Sequence, residues 1–240
     1  MKLAIITYVA KESSNELAEA LRQEGIGVDV LDMGAVHFDE GRAWHYDCVL
    51  SYGCSDRVQH RNRLNQADAV KRCIDKVETF KALRKAGVPI PMWKTERNKV
   101  PKNWDSVVVR ESRVGRKAEG FHHWLKEEGE LPHGELYTKY YEHRNEYRVV
   151  VFMGKYFVYY KRPVSKDGEE WHEMVLQPAR KFEAMGRHAL AAAKALGIDY
   201  AGFDVVANSR TEYVFLEANS GPILNEEVKD YIVKWFKEKK

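Results

Sequence analysis

The stretch "GFDVVANSRTEYVFLEANSGPIL", Gly202 to Leu224, decides how this chain is read. It consists of two apolar strands, "GFDVVA" and "YVFLEAN", joined by the polar turn "NSRTE". If the hairpin turns symmetrically about Arg210 and Thr211, Asp204 lies opposite Glu217 and shares its face. Asn219 adds an amide on the same side, whereas Phe203, Val205, Leu216 and Ala218 point the other way. Like charges opposed in a half-buried pair are unfavourable. Either a cation sits between them, or the face is solvated and the two residues are incidental. Oxygen-only donors of this kind suit Mg²⁺, which takes one or two carboxylates and completes its shell with water and phosphate oxygens.

Upstream of this hairpin the chain has two characters. The opening alternates strand and helix: "LAIITYV", then "SSNELAEALRQEG" with Ser13 and Glu16 at capping-box spacing, then "VDVL" and "DCVLSYG". This predicts a small α/β unit with a parallel sheet. The next helix is "DKVETFKALRKAG", ended by Gly87, Pro89 and Pro91, and a domain boundary falls near residues 74 to 95. Beyond it the strands are hairpin-connected: "SVVVR", "ELYTKYY", "EYRVVVFM", a turn at Gly154 and Lys155, and "YFVYYKR". The helix "KFEAMGRHALAAAKALG" precedes the final hairpin.

The totals narrow the function classes. Of the 240 residues, 44% are hydrophobic and 31% charged, enough to bury a real core. No window reaches the roughly 18 to 20 apolar residues of a membrane span, and the first residues are too short and strand-like for a secretory signal. A cytoplasmic protein with no membrane partner is expected. Cys48, Cys54 and Cys73 lack the spacing of a disulfide framework or zinc site. A net charge of +3, from 39 Lys plus Arg against 36 Asp plus Glu, does not call for a nucleic-acid partner. The run "RVQHRNR", Arg57 to Arg63, is either a solvated surface or a docking surface for nucleic acid.

Two further segments carry chemistry. In "VVVRESRVGRKAEGFH" a strand ends at Arg110 and runs into a loop with Gly115, Arg116, Lys117 and Gly120. Glycines admit backbone NH groups to an anion and the cations neutralise it, though a plain basic hairpin loop has the same composition. In "LYTKYYEHRNEYRVVVF" Tyr140, Tyr141 and Glu146 offer a base slot and a ribose-binding carboxylate, or else an aromatic-rich sheet with Glu146 paired to Arg148.

Taken together and in order, these segments resemble the ATP-grasp superfamily of ADP-forming carboxylate-amine ligases, over nearly the whole chain. The resemblance rests on "CIDKVETFKALRKAGVPIP", "VVVR", "LYTKYY", "EYRVVVFMGKYF" and the closing Asp, Glu and Asn pattern. The most similar branch is the short, RimK-like and phage-type proteins. The resemblance implies an α/β (α+β) ATP-grasp fold: an N-terminal α/β domain at 1–74, a small subdomain at 75–135 and a C-terminal subdomain at 136–240, the last two clamping ATP. It implies that Asp204, Glu217 and Asn219 hold two Mg²⁺ ions, with Mn²⁺ as the alternative, and that Lys76, Arg110, Gly115, Lys117 and Gly120 face the phosphates. Lys139, Tyr140 and Tyr141 would form the adenine hinge and Glu146 would hold the ribose. Arg148 and Arg162 would act at the γ-phosphate or the reacting carboxylate. Arginine at 110 departs from the family's usual lysine. The implied activity is amide-bond formation through an acylphosphate between a carboxylate and an amine substrate, carried by an amino acid, peptide or macromolecule. Its rivals are a silent ATP-binding regulatory protein and an enzyme acting on a protein-linked or nucleic-acid-linked acceptor. Substrates are expected near "SYGCSDR", Ser51 to Arg57, and "EEWHEMVLQPAR", Glu169 to Arg180.

Overall fold

The computed structural model describes residues 1–8, 12–34, 44–56, 58–114, 120–166 and 169–239. Strand β1 (Lys2–Thr7) is apolar from Leu3 to Ile6, and all four side chains are fully buried. Parallel partners β2 (Gly27–Asp32) and β3 (Cys48–Ser51) flank it, and β4 (Arg63–Leu64) completes a sheet of order β2-β1-β3-β4. Helix α1 (Glu12–Gln23) buries Leu17, Ala18 and Leu21 against this sheet. It already includes Ser13, so Ser13 is not the cap its spacing suggests; Gly25, at φ 71°, ends it as expected.

Helices α2 (Ala67–Ile74) and α3 (Lys76–Lys85) meet at Asp75, where the sequence pattern announces only the second. The Asp75 carboxylate accepts from the Val77 and Glu78 amides at 2.9 and 3.2 Å, which caps α3 and fixes Lys76 at its first turn. The Thr79 hydroxyl donates to the Arg72 carbonyl at 2.7 Å and stitches the two helices together.

A small antiparallel sheet follows: β5 (Trp93–Lys94), β6 (Ser106–Arg110), β7 (Phe121–Leu125) and β8 (Leu136–Lys139), in the order β5-β8-β6-β7. Because β8 is hydrogen-bonded between β5 and β6, the small unit runs to Lys139, past the expected boundary at 135. Val107, Val109, Trp124 and Tyr137 pack one of its faces around Trp104.

The central antiparallel sheet has the order β11-β10-β9-β12-β13. Its strands are β9 (Asn145–Phe152), β10 (Lys155–Lys166), β11 (Glu169–Gln177), β12 (Tyr200–Ala207) and β13 (Tyr213–Asn219). The β9–β10 turn is Met153 and Gly154, at φ 45° and 81°, rather than Gly154 and Lys155. Positive φ at both central residues matches the twist of a two-residue hairpin. One face of this sheet packs Val149, Val151, Val158, Phe203 and Phe215 against α4 (Glu183–Leu196). The other meets the parallel sheet and α5 (Glu226–Lys237), whose Val228, Ile232 and Phe236 recur every four residues and are buried. The chain end, read as a basic surface run, is therefore the amphipathic cover of both units.

Asn65 joins the two. It is fully buried, sits at φ 57°, donates to the Ser51 and Tyr200 carbonyls at 3.1 and 2.8 Å, and accepts from the Asp199 and Tyr200 amides at 3.0 and 2.8 Å. Asparagine tolerates this left-handed backbone better than most residues.

Candidate active site

A cleft of about 790 Å³ separates the small sheet from β12 and β13 and reaches the ends of β1 and β3 at Thr7, Tyr8, Tyr52 and Gly53. On the hairpin, Asp204 pairs with Glu217 and Gly202 with Asn219, the pairing expected from the sequence. The register then shifts: Val205 faces Phe215, so Leu216 is an extra residue and the turn is centred on Arg210. The bulge turns Leu216 into the cleft, not away from it as strict alternation requires.

Three ion pairs gather around the carboxylates. Arg148 donates Nε and Nη2 to the two oxygens of Asp204, both at 2.9 Å. Lys76 Nζ meets Glu217 Oε2 at 2.8 Å, and Lys161 Nζ meets Glu146 Oε2 at 2.8 Å and Asp204 Oδ1 at 3.9 Å. Asn219 Nδ2 donates to Glu217 Oε1 at 3.0 Å and to Asp204 Oδ2 at 3.5 Å. Arg110 points into the same cleft, and its guanidinium makes no hydrogen bond or ion pair among the described residues. Lys139, Tyr140 and Tyr141 line the far end, where the Tyr140 ring stacks on His123 with centroids 4.4 Å apart.

No protein-family model and no curated protein matches the sequence. Solved structures do. A D-alanine–D-alanine ligase from Bacillus anthracis superposes with a TM-score of 0.70 at 18% identity, over 98% of this chain and 93% of that one. The ATP-grasp ligase PsnB, complexed with its minimal precursor, gives 0.71 at 14% identity, over 93% and 91%. A Chryseobacterium gregarium RiPP-associated ATP-grasp ligase, in complex with ADP and a leader and core peptide, gives 0.70 at 14% identity, over 100% and 97%. The chain has the ATP-grasp fold. Its small and central sheets are the two jaws of that fold.

The electrostatics of the ATP-grasp cleft follow from burial and pairing. Burial drives the Asp204 carboxyl above its ordinary range, and Arg148 only partly offsets this. Burial also acts to raise Glu217, but the Lys76 ammonium outweighs it and holds the carboxyl down, at about 2. Burial lowers Arg110, against the pull of Glu217. Glu146 ends below its ordinary value because Lys161 more than offsets its desolvation.

Among the described residues no group of three or more His, Cys, Asp or Glu is gathered. The donor set is two facing carboxylates and one amide, whose rotation presents an oxygen. That set fits a hard cation that takes few protein ligands and draws the rest from phosphate and water.

Not every expected residue comes to this place. Arg162 lies on the opposite face of β10, exposed and paired with Glu173. Its neighbour Lys161 stands in the cluster instead, a residue the sequence reading missed. The signal was the strand parity: Lys161 extends the pairing that sets Tyr159 opposite Arg148. Gly120, at φ 69°, closes the β6–β7 loop against Glu111 and does not line the cleft. Gly115 and Lys117 lie outside the described residues, as does Arg57. The stretch Glu169–Arg180 forms the outer strand β11 and the turn after it, and none of its described residues lines the cleft. No helix is long and apolar enough to cross a membrane.

Proposed function

We propose that the chain is an ATP-dependent, ADP-forming carboxylate-amine ligase. One observation carries this reading: Lys76, Arg110, Arg148 and Lys161 converge, within one cleft, on facing carboxylates at Asp204 and Glu217. Charge for a polyphosphate and donors for its metal are thereby present together. Asp204, Glu217 and Asn219 would hold one or two Mg²⁺ ions, or Mn²⁺ in their place. When bound, the metal offsets the charge that builds on the phosphate oxygens.

The residues of the chain position and neutralise; none is required as a nucleophile. Lys76, Arg110, Arg148 and Lys161 draw in the triphosphate, and Glu146 accepts from the ribose hydroxyls. A carboxylate oxygen of the substrate attacks the γ-phosphorus, forming the acylphosphate as ADP departs. The amine nitrogen then attacks the acyl carbon, the C–O bond to phosphate breaks, and the nitrogen loses a proton to leave an amide. The second substrate enters along the ends of β1 and β3, where Tyr52 and Gly53 abut Ser220 and Pro222. Ligands bind at the carboxyl ends of parallel strands, where the order reverses, and the order β2-β1-β3 reverses here.

Solved ligases of this fold hold precursor peptides. Peptide carboxylates and amines therefore lead the panel for the test, which follows ADP release with ATP and Mg²⁺ over paired carboxylates and amines. Release that needs one of each, and is lost in Glu217→Ala, supports the ligase. Tight ATP binding with no release for any pair removes the ligase reading in favour of a binding protein.

A further inference from the structure

Thr138, in the middle of β8, is 4% exposed, and its hydroxyl has no hydrogen-bond partner. Burying a hydroxyl without a partner is unfavourable, so each such group requires a reason. Four other buried side chains share this condition: Trp93, Trp124, Tyr200 and Asn225. Thr138 alone of the five lines the cleft.

Its surroundings define what it meets. Val108 is its register partner on β6, and Val206 and Leu216 line the cleft from the central sheet. The chain continues directly into Lys139 and Tyr140, whose amides are bonded to Met92 and Ser106 and so held rigid. The cleft's ion pairs lie elsewhere, on Glu217 and Asp204. A slot with apolar walls, one orphan hydroxyl and no ion pair suits a flat heteroaromatic ring better than a phosphate or a sugar.

We propose that the Thr138 hydroxyl hydrogen-bonds the polar edge of the purine base and sets the enzyme's preference for adenine. The assignment rests on the nucleotide reading above. A hydroxyl both donates and accepts, so it can take a hydrogen from the 6-amino group or give one to N7. Either bond satisfies the orphan only when the nucleotide is in place.

The test uses Thr138→Val, which keeps the shape and removes the hydroxyl, with Thr138→Ser as the conservative control. ATP, purine riboside triphosphate (no 6-amino group) and 7-deaza-ATP (no N7) are titrated with Mg²⁺ onto wild type and both variants. For ATP, Thr138→Val is expected to weaken binding on the order of tenfold. That loss vanishes for the analogue lacking the contacted group, and Thr138→Ser restores the discrimination. Without nucleotide, Thr138→Val is expected to melt at or above the wild-type temperature, because it removes an unpaired buried polar group. Equal loss for all three nucleotides, or no loss for ATP, overturns the assignment alone. Failure of wild type to bind any of the three overturns it together with the nucleotide reading.

Discussion

Glu146, Arg148, Val150 and Phe152 stand on one face of β9, yet the first two belong to the candidate site and the last two to the core. The neighbouring strands divide in the same way. On β12, Tyr200 is core and Asp204 is site; on β10, Phe157 and Tyr159 pack in the core while Lys161 joins the charges. One half of the face is held by apolar area, at about 25 cal/mol per Å² removed from water. The other half is held by pairing: Arg148 with Asp204, Lys161 with Glu146, and Lys76 with Glu217. An apolar contact cannot be exchanged for a ligand, whereas each ion pair can give up one partner to a phosphate or a metal. The two halves differ in what can replace their contacts, not in how deeply they are set.

The sharpest way to break this contrast is at its apolar end. Phe152 is fully buried and touches the rings of Tyr200, Tyr231, Trp235 and Phe236. Phe152→Ala is expected to remove about 4 kcal/mol of stability in urea unfolding. The folded fraction should bind nucleotide as wild type does. Lost affinity at unchanged stability would show that the two halves are not separable.

At the charged end the effects invert. Arg148→Met leaves Asp204 without its bidentate partner, and is expected to cost about 3 kcal/mol of stability and to lower ADP release about a hundredfold. The double variant Arg148→Met/Asp204→Leu separates the roles. Its unfolding free energy should recover, because an apolar pair replaces a half-satisfied one, while ADP release stays lost. Recovery of both would remove these residues from the chemistry.

A smaller effect isolates the Lys76 pair through pH. The Glu217 carboxyl lies below its ordinary value of 4.5, at about 2, in the folded chain. Its contribution is therefore fully present above about 4.5 and is lost as the pH falls towards 2. Asp204, shifted upward by burial, has the opposite sign and becomes less unfavourable in acid. Lys76→Met is expected to cost about 2 kcal/mol at pH 7, and the gap to wild type should close as the pH drops through that window. A gap constant from pH 7 to pH 3, measured by chemical unfolding, would place the Lys76 contribution outside this pair.

How much of this was legible in the sequence follows from the same contrast. Alternation and turn position are local, so the strand period alone sets Asp204, Glu217 and Asn219 on one face. The bulge at Leu216 leaves no composition signal, so the side that Leu216 takes could not be read. Lys161 and Arg162 are chemically alike, and only the register against β9 decides which one enters the cluster. The "EEWHEMVLQ" of β11 has too little apolar alternation to announce an outer strand. The four-residue spacing of Val228, Ile232 and Phe236 was visible, but its burial depends on two units separated by most of the chain. Thr138 reads as an ordinary strand residue, because the absence of a partner exists only in three dimensions.

The smallest effect lies at the border between the halves, where Gly202 sits on β12 two residues from Asp204. A Cβ there would stand 2.8 Å from Pro222 Cβ and 3.6 Å from Arg148 Cδ. The first distance forces a shift. Arg148 is at ordinary contact and fixed by Asp204, so it will hold; Pro222 belongs to the turn after β13, which ends in exposed Ile223. The turn should therefore yield, and Gly202→Ala is expected to cost only about 1 kcal/mol. Pro222 lines the cleft near Tyr52 and accepts a hydrogen bond from that hydroxyl. Displacing it should raise the KM of the second substrate several-fold while leaving ATP affinity within about twofold, a split read by titrating each substrate in turn. If ATP affinity falls instead, the shift has passed to Arg148, and the border between the core half and the site half lies one pair further along the strand.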